Sequence, residues 1–256
     1  MKISRAQAIA LALLATACLP SFAQSTAMLM PEGSKDLYLG ALVLDVARDE
    51  GGARRRIVVL PTASGLWSNG VFAQIGTLGW DITDDPTMDY GPLLNYDIRS
   101  KRSDDAGHES NLEIQAGGFY SFMFARNISL NSRLLYGGGA DSGGLQLKLD
   151  ANFSMRLAAH DMLTISPGVS LVDASFMKST YGISAQQAQL DGLPPYRTHG
   201  GVRSVYLDVN WDSELSTKFT LDTGVSLDRL AGSAARSPLI AQRISAVVYT
   251  ALSYHY

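Results

Sequence analysis

The chain is almost without cysteine. Its 256 residues contain one, Cys18, so no disulfide can form within the chain and no second thiol is available to a metal site. Long apolar runs are also absent after residue 23, and a membrane helix needs about 18 such residues. Basic residues are not in excess, because 21 Lys and Arg stand against 24 Asp and Glu. The formal net charge of −3 argues against a nucleic-acid partner.

Catalytic motifs are lacking as well. No Gly-x-Ser-x-Gly elbow accompanies the histidine of the long loop near Tyr196. The histidines are scattered at spacings that do not suggest a metal site: His108, His160, His199 and His255. We therefore predict no enzyme activity, no cofactor and no metal. A lipid-modifying enzyme built from a few side chains on adjacent strands stays open as an alternative.

The N-terminal 23 residues have the three parts of a secretory signal peptide: a positive start, an apolar stretch and a small-x-small cleavage site. We predict cleavage between Ala23 and Gln24, which would remove Cys18. Lipidation of Cys18 is the alternative, although Ala15 stands where a lipobox normally has a large aliphatic residue.

Strict apolar/polar alternation is the strongest pattern in the remaining chain. From Leu145 to Leu157 every odd position is apolar and every even position polar, which predicts a strand with two different faces. A soluble strand usually has about 5–6 residues, whereas a tilted transmembrane strand needs about 9–11. Similar patterns occur over residues 37–47, 56–67, 70–82, 88–99, 111–125, 127–136, 163–171, 205–212, 219–228 and 242–256.

The connections between these segments alternate in length. Tight polar turns lie at 125–127, 158–161 and 213–216, and longer loops lie at 100–110, 137–143, 175–200 and 231–241. Transmembrane barrels have short periplasmic turns and longer extracellular loops. We predict an all-β, antiparallel up-and-down transmembrane β-barrel over residues 37–256, in the bacterial outer membrane. Residues 24–36 would form a periplasmic N-terminal segment.

The number of strands that these patterns predict is odd. The patterns give eleven strands, but a barrel with both ends in the periplasm needs an even number. We predict twelve strands, with ten as the fallback, and place the missed strand or break within residues 45–70.

Polar residues of the alternating strands are predicted to face the lumen: Lys148, Asp150, Asn152, Arg156, Asp208, Asn210, Asp212, Asp222 and Asp228. One interpretation is a channel that mildly favours cations. The other is an interior filled by its own side chains, since eight strands are just filled and only 16–18 leave a wide pore. A narrow or plugged pore is the expectation for ten to twelve strands.

The longest loop, 175–200, has a structure of its own. Ser184 is predicted to cap a short helix over 185–190, which Gly192 ends and Pro194 keeps from continuing. A loop of this length is usually functional. It is predicted either to plug the lumen or to act in recognition at the surface.

The last strand ends in an aromatic residue, with apolar side chains on one face: Leu252, Tyr254 and Tyr256. We predict that this face is the signal read by the barrel assembly machinery, with outer-membrane lipid as the barrel's surroundings.

Two segments in the second half carry a family resemblance. The first contains Tyr181-Gly182-Ile183-Ser184, Gln187-Ala188, Gly192-Leu193 and Tyr196 ahead of Gly200-Gly201, and the second runs from Leu230-Ala231-Gly232 to Arg243. With these segments the chain resembles the MltA-interacting protein (MipA/OmpV) family of outer-membrane proteins. It departs from that family in ending at Tyr256, where phenylalanine is usual, and in the basic run within 49–56.

The resemblance implies a non-enzymatic scaffold that binds a periplasmic lytic transglycosylase and helps to tether it to a murein synthase. Such a partner would reach the turns around Arg126, His160 and Glu214, or the segment 24–36. The alternatives are a narrow small-solute channel or a surface adhesin with a lumen-plugging loop at 175–200. The candidate plug or recognition residues of that loop are Tyr181, Gly182, Gly192, Leu193 and Tyr196.

Overall fold

The computed structural model describes residues 30–47, 55–102, 108–137 and 143–256. The predicted signal peptide, with its cleavage site between Ala23 and Gln24, lies outside the described residues. Residues 49–54 of the basic run also lie outside them. Within the described ranges, no helix is both long and apolar enough to cross a membrane.

Twelve antiparallel strands form a closed barrel in which each strand pairs with its neighbours in sequence and β1 pairs with β12. The strands are β1 (Lys35–Ala47), β2 (Arg55–Trp67), β3 (Val71–Gln74), β4 (Thr77–Trp80), β5 (Met88–Arg102), β6 (His108–Ala125), β7 (Ile128–Gly137), β8 (Gly144–Ala158), β9 (Asp161–Val172), β10 (Gly201–Glu214), β11 (Phe219–Leu230) and β12 (Ile244–His255). The prediction of an all-β, up-and-down barrel of twelve strands is confirmed.

The source of the twelfth strand was predicted wrongly. Strands β1 and β2 are each unbroken, so the described part of 45–70 contains no missed strand. Residues 70–82, predicted as one strand, instead contain the short hairpin of β3 and β4. The chain reverses between Gln74 and Thr77, where Gly76 has a φ of 77°. Glycine adopts this left-handed conformation without the steric cost of a Cβ, so the turn can be tight.

The alternation in β8 gives the wall two faces. Leu149 is 39 % exposed on the outside, whereas Gln146 on the inside is 6 % exposed. The outward positions of the other long strands are likewise apolar and exposed, for example Val205 on β10 and Leu227 on β11. An apolar outer surface on a closed barrel is the pattern of a membrane-spanning barrel.

The two ends of the barrel differ. At one end the strands are connected by the short turns 126–127, 159–160 and 215–218. Strand β1 begins and β12 ends at this same end, which we call the short-turn end. At the opposite, long-loop end, the connections include residues 173–200 and 231–243.

The 173–200 loop contains two helices, α1 (Ala174–Tyr181) and α2 (Ala185–Asp191). The predicted helix is confirmed as α2: the Ser184 hydroxyl accepts from the Gln187 amide at 3.2 Å, and Gly192 ends the helix with a φ of 66°. The preceding helix α1 was not predicted. Its N-terminus is capped by Asp173, which accepts from the amide of Phe176 at 2.8 Å.

Candidate functional site

Asp150 on β8 is the centre of a hydrogen-bond network on the luminal wall. Its Oδ2 accepts from Asn131 Nδ2 at 2.8 Å, and its Oδ1 accepts from the Tyr206 hydroxyl at 3.1 Å. Arg133 Nη2 lies 3.9 Å from the same Oδ1. The Ser121 hydroxyl extends the network by donating to Asn131 Oδ1 at 2.7 Å. The side chains therefore link β6, β7, β8 and β10 across the inner surface.

Two tyrosines cross a neighbouring strand at a glycine. The ring of Tyr206 lies against Gly168 on β9, and the ring of Tyr249 lies against Gly224 on β11. A Cβ at either glycine would come within 2.3–2.4 Å of the tyrosine ring. Beyond Gly224, the Tyr249 hydroxyl donates to Asn210 Oδ1 at 2.9 Å. Each tyrosine can thus reach a partner two strands away only because the intervening residue has no side chain.

The luminal faces of β10 and β11 are acidic. Asp212 and Asp222 are opposite each other in the register, and Asn210 Nδ2 donates to Asp212 Oδ1 at 2.7 Å. Nearer the long-loop end, the hydroxyl of Ser204 donates to Asp228 Oδ2 at 2.9 Å. Asp208 lies between these two levels, opposite Ser226. The predicted luminal positions of these residues agree with the register of the wall.

The luminal face of β12, β1 and β2 is apolar. Leu44 is fully buried, whereas Val43, which points the other way, is 41 % exposed. A buried cluster on the same inner face joins β12, β1 and β2, and Ile75 of the hairpin turn packs against it. We call this cluster the luminal apolar patch; its members are Leu42, Leu44, Val58, Leu60, Val247 and Tyr249. The patch was not predicted, although β1 is apolar on both faces, which is the signal of a strand buried on both sides.

Beside this patch the wall is not continuously hydrogen-bonded. Strand β3 pairs with β2 only at Gly65 and Leu66, and β4 pairs with β5 only over 93–95. Among the described strands, none pairs with residues 57–64 of β2 on the side away from β1. We call this interval between β2 and β5 the seam. Pro61 was its signal in the sequence, because proline in a strand is confined to edges and bulges.

The candidate plug or recognition residues belong to the structure formed by residues 173–200 and 231–243 at the long-loop end, which we call the cap. Phe176 and Met177 of α1 are buried against Val172, the last residue of β9, and against Ala234 of the second long loop. The hydroxyl of Ser175 also donates to the carbonyl of Gly143 at 2.6 Å. Helix α1 therefore lies at the long-loop end, against the ends of β8 and β9.

Tyrosine side chains fasten this cap. The buried Tyr181 accepts a hydrogen bond at its hydroxyl from Arg203 Nε at 2.9 Å, and at its carbonyl from the Ser237 hydroxyl at 2.7 Å. The Tyr196 hydroxyl donates to the carbonyl of Ser233 at 2.8 Å. Tyr181 thus connects the 173–200 loop to β10 and to the second long loop, and Tyr196 connects it to the second long loop.

The other three predicted residues shape the cap. A Cβ at Gly182 would lie 2.5 Å from the carbonyl oxygen of Lys178, so the chain can turn closely past the end of α1. Gly192 gives α2 its left-handed end, and the amide of Leu193 donates back to the Ala188 carbonyl at 3.2 Å. The structure therefore brings all five residues into one folded unit, with Tyr181 buried inside it.

The short-turn end carries exposed charged groups. His160 Nδ1 lies 3.2 Å from Glu214 Oε2, and Arg126 is exposed in the turn between β6 and β7. In the part of the chain that the structure describes, no three His, Cys, Asp or Glu side chains are grouped to hold a metal.

The predicted assembly signal lies on the outer face of β12, near the short-turn end. Tyr254 packs edge-on against Phe219 with ring centroids 5.2 Å apart, and Lys218 Nζ donates to its hydroxyl at 3.3 Å. Leu252 and Tyr256 are exposed on the same face.

Two aspartates in the 81–87 loop have opposite pKa shifts. Burial raises the pKa of Asp81 above its ordinary value of 3.8, although the amide of Thr83 donates to it at 3.1 Å. The hydroxyl and amide of Thr87 donate to Asp85 at 2.7 and 2.8 Å and lower the pKa of that exposed carboxyl.

Comparison with solved structures gives only distant likenesses. The chain is similar to the translocator domain of autotransporter NalP from Neisseria meningitidis, with 12 % identity, 100 % of each chain covered and a TM-score of 0.41. It is similar to the outer membrane channel DcaP of Acinetobacter baumannii, with 6 % identity over 88 % of this chain and 98 % of that one, at a TM-score of 0.42. The NanC porin gives 10 % identity over 87 % of this chain and 100 % of its own, also at 0.42. These likenesses are too weak to carry an argument.

The comparison of sequences is more specific. No curated protein matches the chain at a significant level. A family model described as "MltA-interacting protein MipA" matches residues 39–256, which include every strand from within β1 to the end of β12. Because this match spans most of the chain, the protein belongs to the MltA-interacting protein MipA family.

Proposed function

We propose that this outer-membrane barrel is a non-enzymatic anchor for a murein-remodelling enzyme. The observation that carries the proposal is the family match over residues 39–256, since the family is described by its interaction with MltA. The partner proposed by this description is a lytic transglycosylase, with a murein synthase as a further member of the assembly.

The short-turn end is the surface proposed for this partner. Short turns of transmembrane barrels face the periplasm, where murein lies. Arg126 and His160 are exposed on two connections of this end, and Glu214 is exposed at the end of β10 beside a third. Exposed charges at the rim of an interface steer association more than they add affinity.

The lumen supports an anchor more than a conduit. Hydrogen bonds around Asp150 connect four strands on one wall, and the luminal apolar patch lines the other. The cap covers part of the mouth, with Phe176 and Met177 buried beneath it. A barrel of twelve strands falls between the filled interiors of about eight strands and the wide pores of 16–18.

A capture experiment with purified components tests the proposal. The folded barrel, immobilised in detergent, is expected to retain a periplasmic lytic transglycosylase. Arg126→Glu and Glu214→Lys should slow association because they reverse charges at the short-turn end. Lys178→Glu, a reversal on the exposed side of the cap at the opposite end, is the matched control and should leave association unchanged. Failure of the native folded barrel to retain the enzyme contradicts the proposal.

A cation-favouring narrow channel is the second candidate, and the acidic wall of β10 and β11 favours it. Carboxylates that line a pore select for cations. Planar-bilayer recording would then show a cation-selective conductance that increases when residues 178–198 are deleted. Asp212→Asn with Asp222→Asn should reduce the selectivity. If neither the native nor the shortened barrel conducts, the channel is excluded.

A further inference from the structure

Two cationic side chains lie next to each other on the luminal wall. Arg133 of β7 and Lys148 of β8 are opposite each other in the register, and both belong to the inward-facing set of their strands. Like charges directly opposite each other on one face of a sheet are destabilising. A group that accepts hydrogen bonds from both of them is therefore expected close by.

The carboxylates of the wall do not fill this role. Arg133 Nη2 lies 3.9 Å from Asp150 Oδ1, which is too long for a hydrogen bond. Asp150 accepts instead from neutral donors, Asn131 and Tyr206. Among the described residues, no carboxyl oxygen lies within ion-pair distance of Lys148 Nζ. Both cations therefore have N–H donors available for a further group.

An acceptor without a donor faces these cations from β10. The Oδ1 atom of Asp208 is buried and has no hydrogen-bond partner within the described part of the chain. Asp208 as a whole is only partly buried, so rotation of its carboxyl group can turn this oxygen toward the lumen. The charges of Lys148 and Arg133 both act on Asp208, which means that the three side chains face a common space. The nearby Asp228, in contrast, already accepts from the Ser204 hydroxyl at 2.9 Å.

A third cation, Arg203, strengthens the positive side of this space. The register shifts between Val202 and Ser204, and such a bulge changes the direction of the extra side chain. Arg203 Nε donates to the Tyr181 hydroxyl at 2.9 Å, and the Arg203 charge acts on Lys148. Positive charge thus reaches the space from β7, β8 and β10.

The ring of Tyr206 forms a floor between the two sides. Strand β9 contributes only small luminal residues here: Ser166, Gly168 and Ser170. The Tyr206 ring lies over Gly168, and Lys148 Nζ stands 6.0 Å from the ring centroid, at the outer limit of a cation–π contact. Asp208 follows Tyr206 by two residues, about 7 Å, on the same face of β10. A molecule a few atoms long that lies on the ring can therefore reach both charged groups.

We propose that the luminal wall of β7 to β10 binds a small zwitterion of the amino-acid class. Its carboxylate accepts from Lys148 and Arg133, its ammonium group donates to Asp208, and its carbon chain lies on the ring of Tyr206. Such a ligand supplies an acceptor and a donor together and brings no net charge into the lumen. A simple anion would be repelled by Asp150 and Asp208. The site is independent of the anchoring function, because the surface proposed for the enzyme lies at the short-turn end.

Calorimetric titration of the folded barrel in detergent tests the proposal. The probes are three amino acids of increasing length, namely glycine, β-alanine and γ-aminobutyrate, each applied alone. The acid and the amine of the same chain length, such as butyrate and butylamine, carry only one of the two charged groups and are the matched probes. We expect saturable binding of at least one amino acid. Its matched acid and amine should bind about tenfold more weakly, the equivalent of one lost charge-assisted hydrogen bond.

Two substitutions distinguish the ends of the ligand. Lys148→Met removes the ammonium group and should weaken binding of the amino acid and of the acid about tenfold without weakening the amine. Asp208→Asn should weaken the amino acid and the amine by a similar factor without weakening the acid. Arg156→Met, on the same face of β8 but near the short-turn end, and Asp222→Asn on β11 are the matched controls and should change none of the three affinities.

The proposal is overturned by any of three results. If the native barrel binds none of the three amino acids saturably, the ligand class is wrong. If the matched acid or amine binds as tightly as the amino acid, the site recognises a simple ion. If Lys148→Met and Asp208→Asn both leave binding unchanged, the ligand lies elsewhere. Folding of each variant is checked by heat-modifiable electrophoretic migration, and if Lys148→Met does not fold, Asp208→Asn and the comparison of probes on the native barrel decide.

Discussion

The Tyr249 hydroxyl donates a hydrogen bond of 2.9 Å to Asn210, although β11 lies between the two strands that carry these residues. The contact is possible because Gly224 on β11 leaves room for the ring. Tyr206 repeats the arrangement over Gly168 to reach Asp150. Such contacts connect next-nearest strands and therefore stiffen the wall against shear between neighbours.

Gly224→Ala should destabilise the barrel by about 1–3 kcal/mol, because the new Cβ would lie 2.4 Å from the Tyr249 ring and force it out of place. Urea unfolding of the barrel in vesicles measures the change. Gly143→Ala is the matched control, since its Cβ would meet only the Tyr136 hydroxyl, at 3.8 Å. An unchanged unfolding midpoint for Gly224→Ala would show that the ring adjusts without cost.

Tyr206→Phe should lower the free energy of unfolding by roughly 1–3 kcal/mol, since it removes the hydroxyl that donates to Asp150. A double-mutant cycle with Asp150→Ala isolates this bond from the rest of the network. The coupling between the two positions should account for most of the loss. Additive effects of the two substitutions would mean that the hydroxyl and the carboxyl do not interact.

Ser233→Ala should loosen the cap. The Ser233 hydroxyl donates to the carbonyl of His199 at 2.7 Å and accepts from its amide at 3.3 Å. Loss of a contact worth about 1 kcal/mol should make tryptic cleavage at the exposed Arg197 about fivefold faster. Thr180→Ala removes an exposed hydroxyl from the same cap and should leave the cleavage rate unchanged. Equal rates for both variants would exclude a fastening role for Ser233.

Asp81→Asn should stabilise the barrel at pH 7. Because burial raises the native pKa of Asp81, the native state bears the cost of its charge at higher pH, and protonation relieves that cost as the pH falls through the raised native value. The gain from Asn should therefore shrink on acidification and vanish near the ordinary value of 3.8. Unfolding measured from pH 7 to pH 3 checks this.

Asp85→Asn is the matched substitution in the same loop and should have the opposite sign. Hydrogen bonds from Thr87 lower the native pKa of Asp85, so its carboxylate stabilises the native state above 3.8 and loses this effect as the pH falls through the lowered value. A stabilising effect of Asp85→Asn at pH 7 would contradict the assignment.

The sequence was sufficient for the long strands because a strand has a period of two and lies here between two different solvents. The stretch from Leu145 to Leu157 shows this most clearly, since lipid and lumen select opposite residue types at alternate positions. Helix α2 was also predictable, because Ser184, Gln187 and Gly192 supply its start and end signals locally.

The features that the sequence did not reveal depend on tertiary contacts. Helix α1 contains Ser175 and Thr180, which favour helix only weakly, and its stability comes from the burial of Phe176 and Met177. The hairpin was hidden because β3 and β4 together keep an alternating pattern through a two-residue turn. The seam exists because the hairpin ends partway along β2 and β5, and no local sequence pattern indicates that length.

Because of the hairpin of β3 and β4, the number of strands in the wall differs between the two ends of the barrel. A section through the barrel near the short-turn end crosses twelve strands, whereas a section above Gly76 crosses ten. Since a hairpin adds one ascending and one descending strand, its presence does not change which side of the membrane any other connection faces. The segment can therefore grow or shrink in relatives of this protein while every loop and turn keeps its side, so the circumference at one end of the barrel can vary independently of its topology.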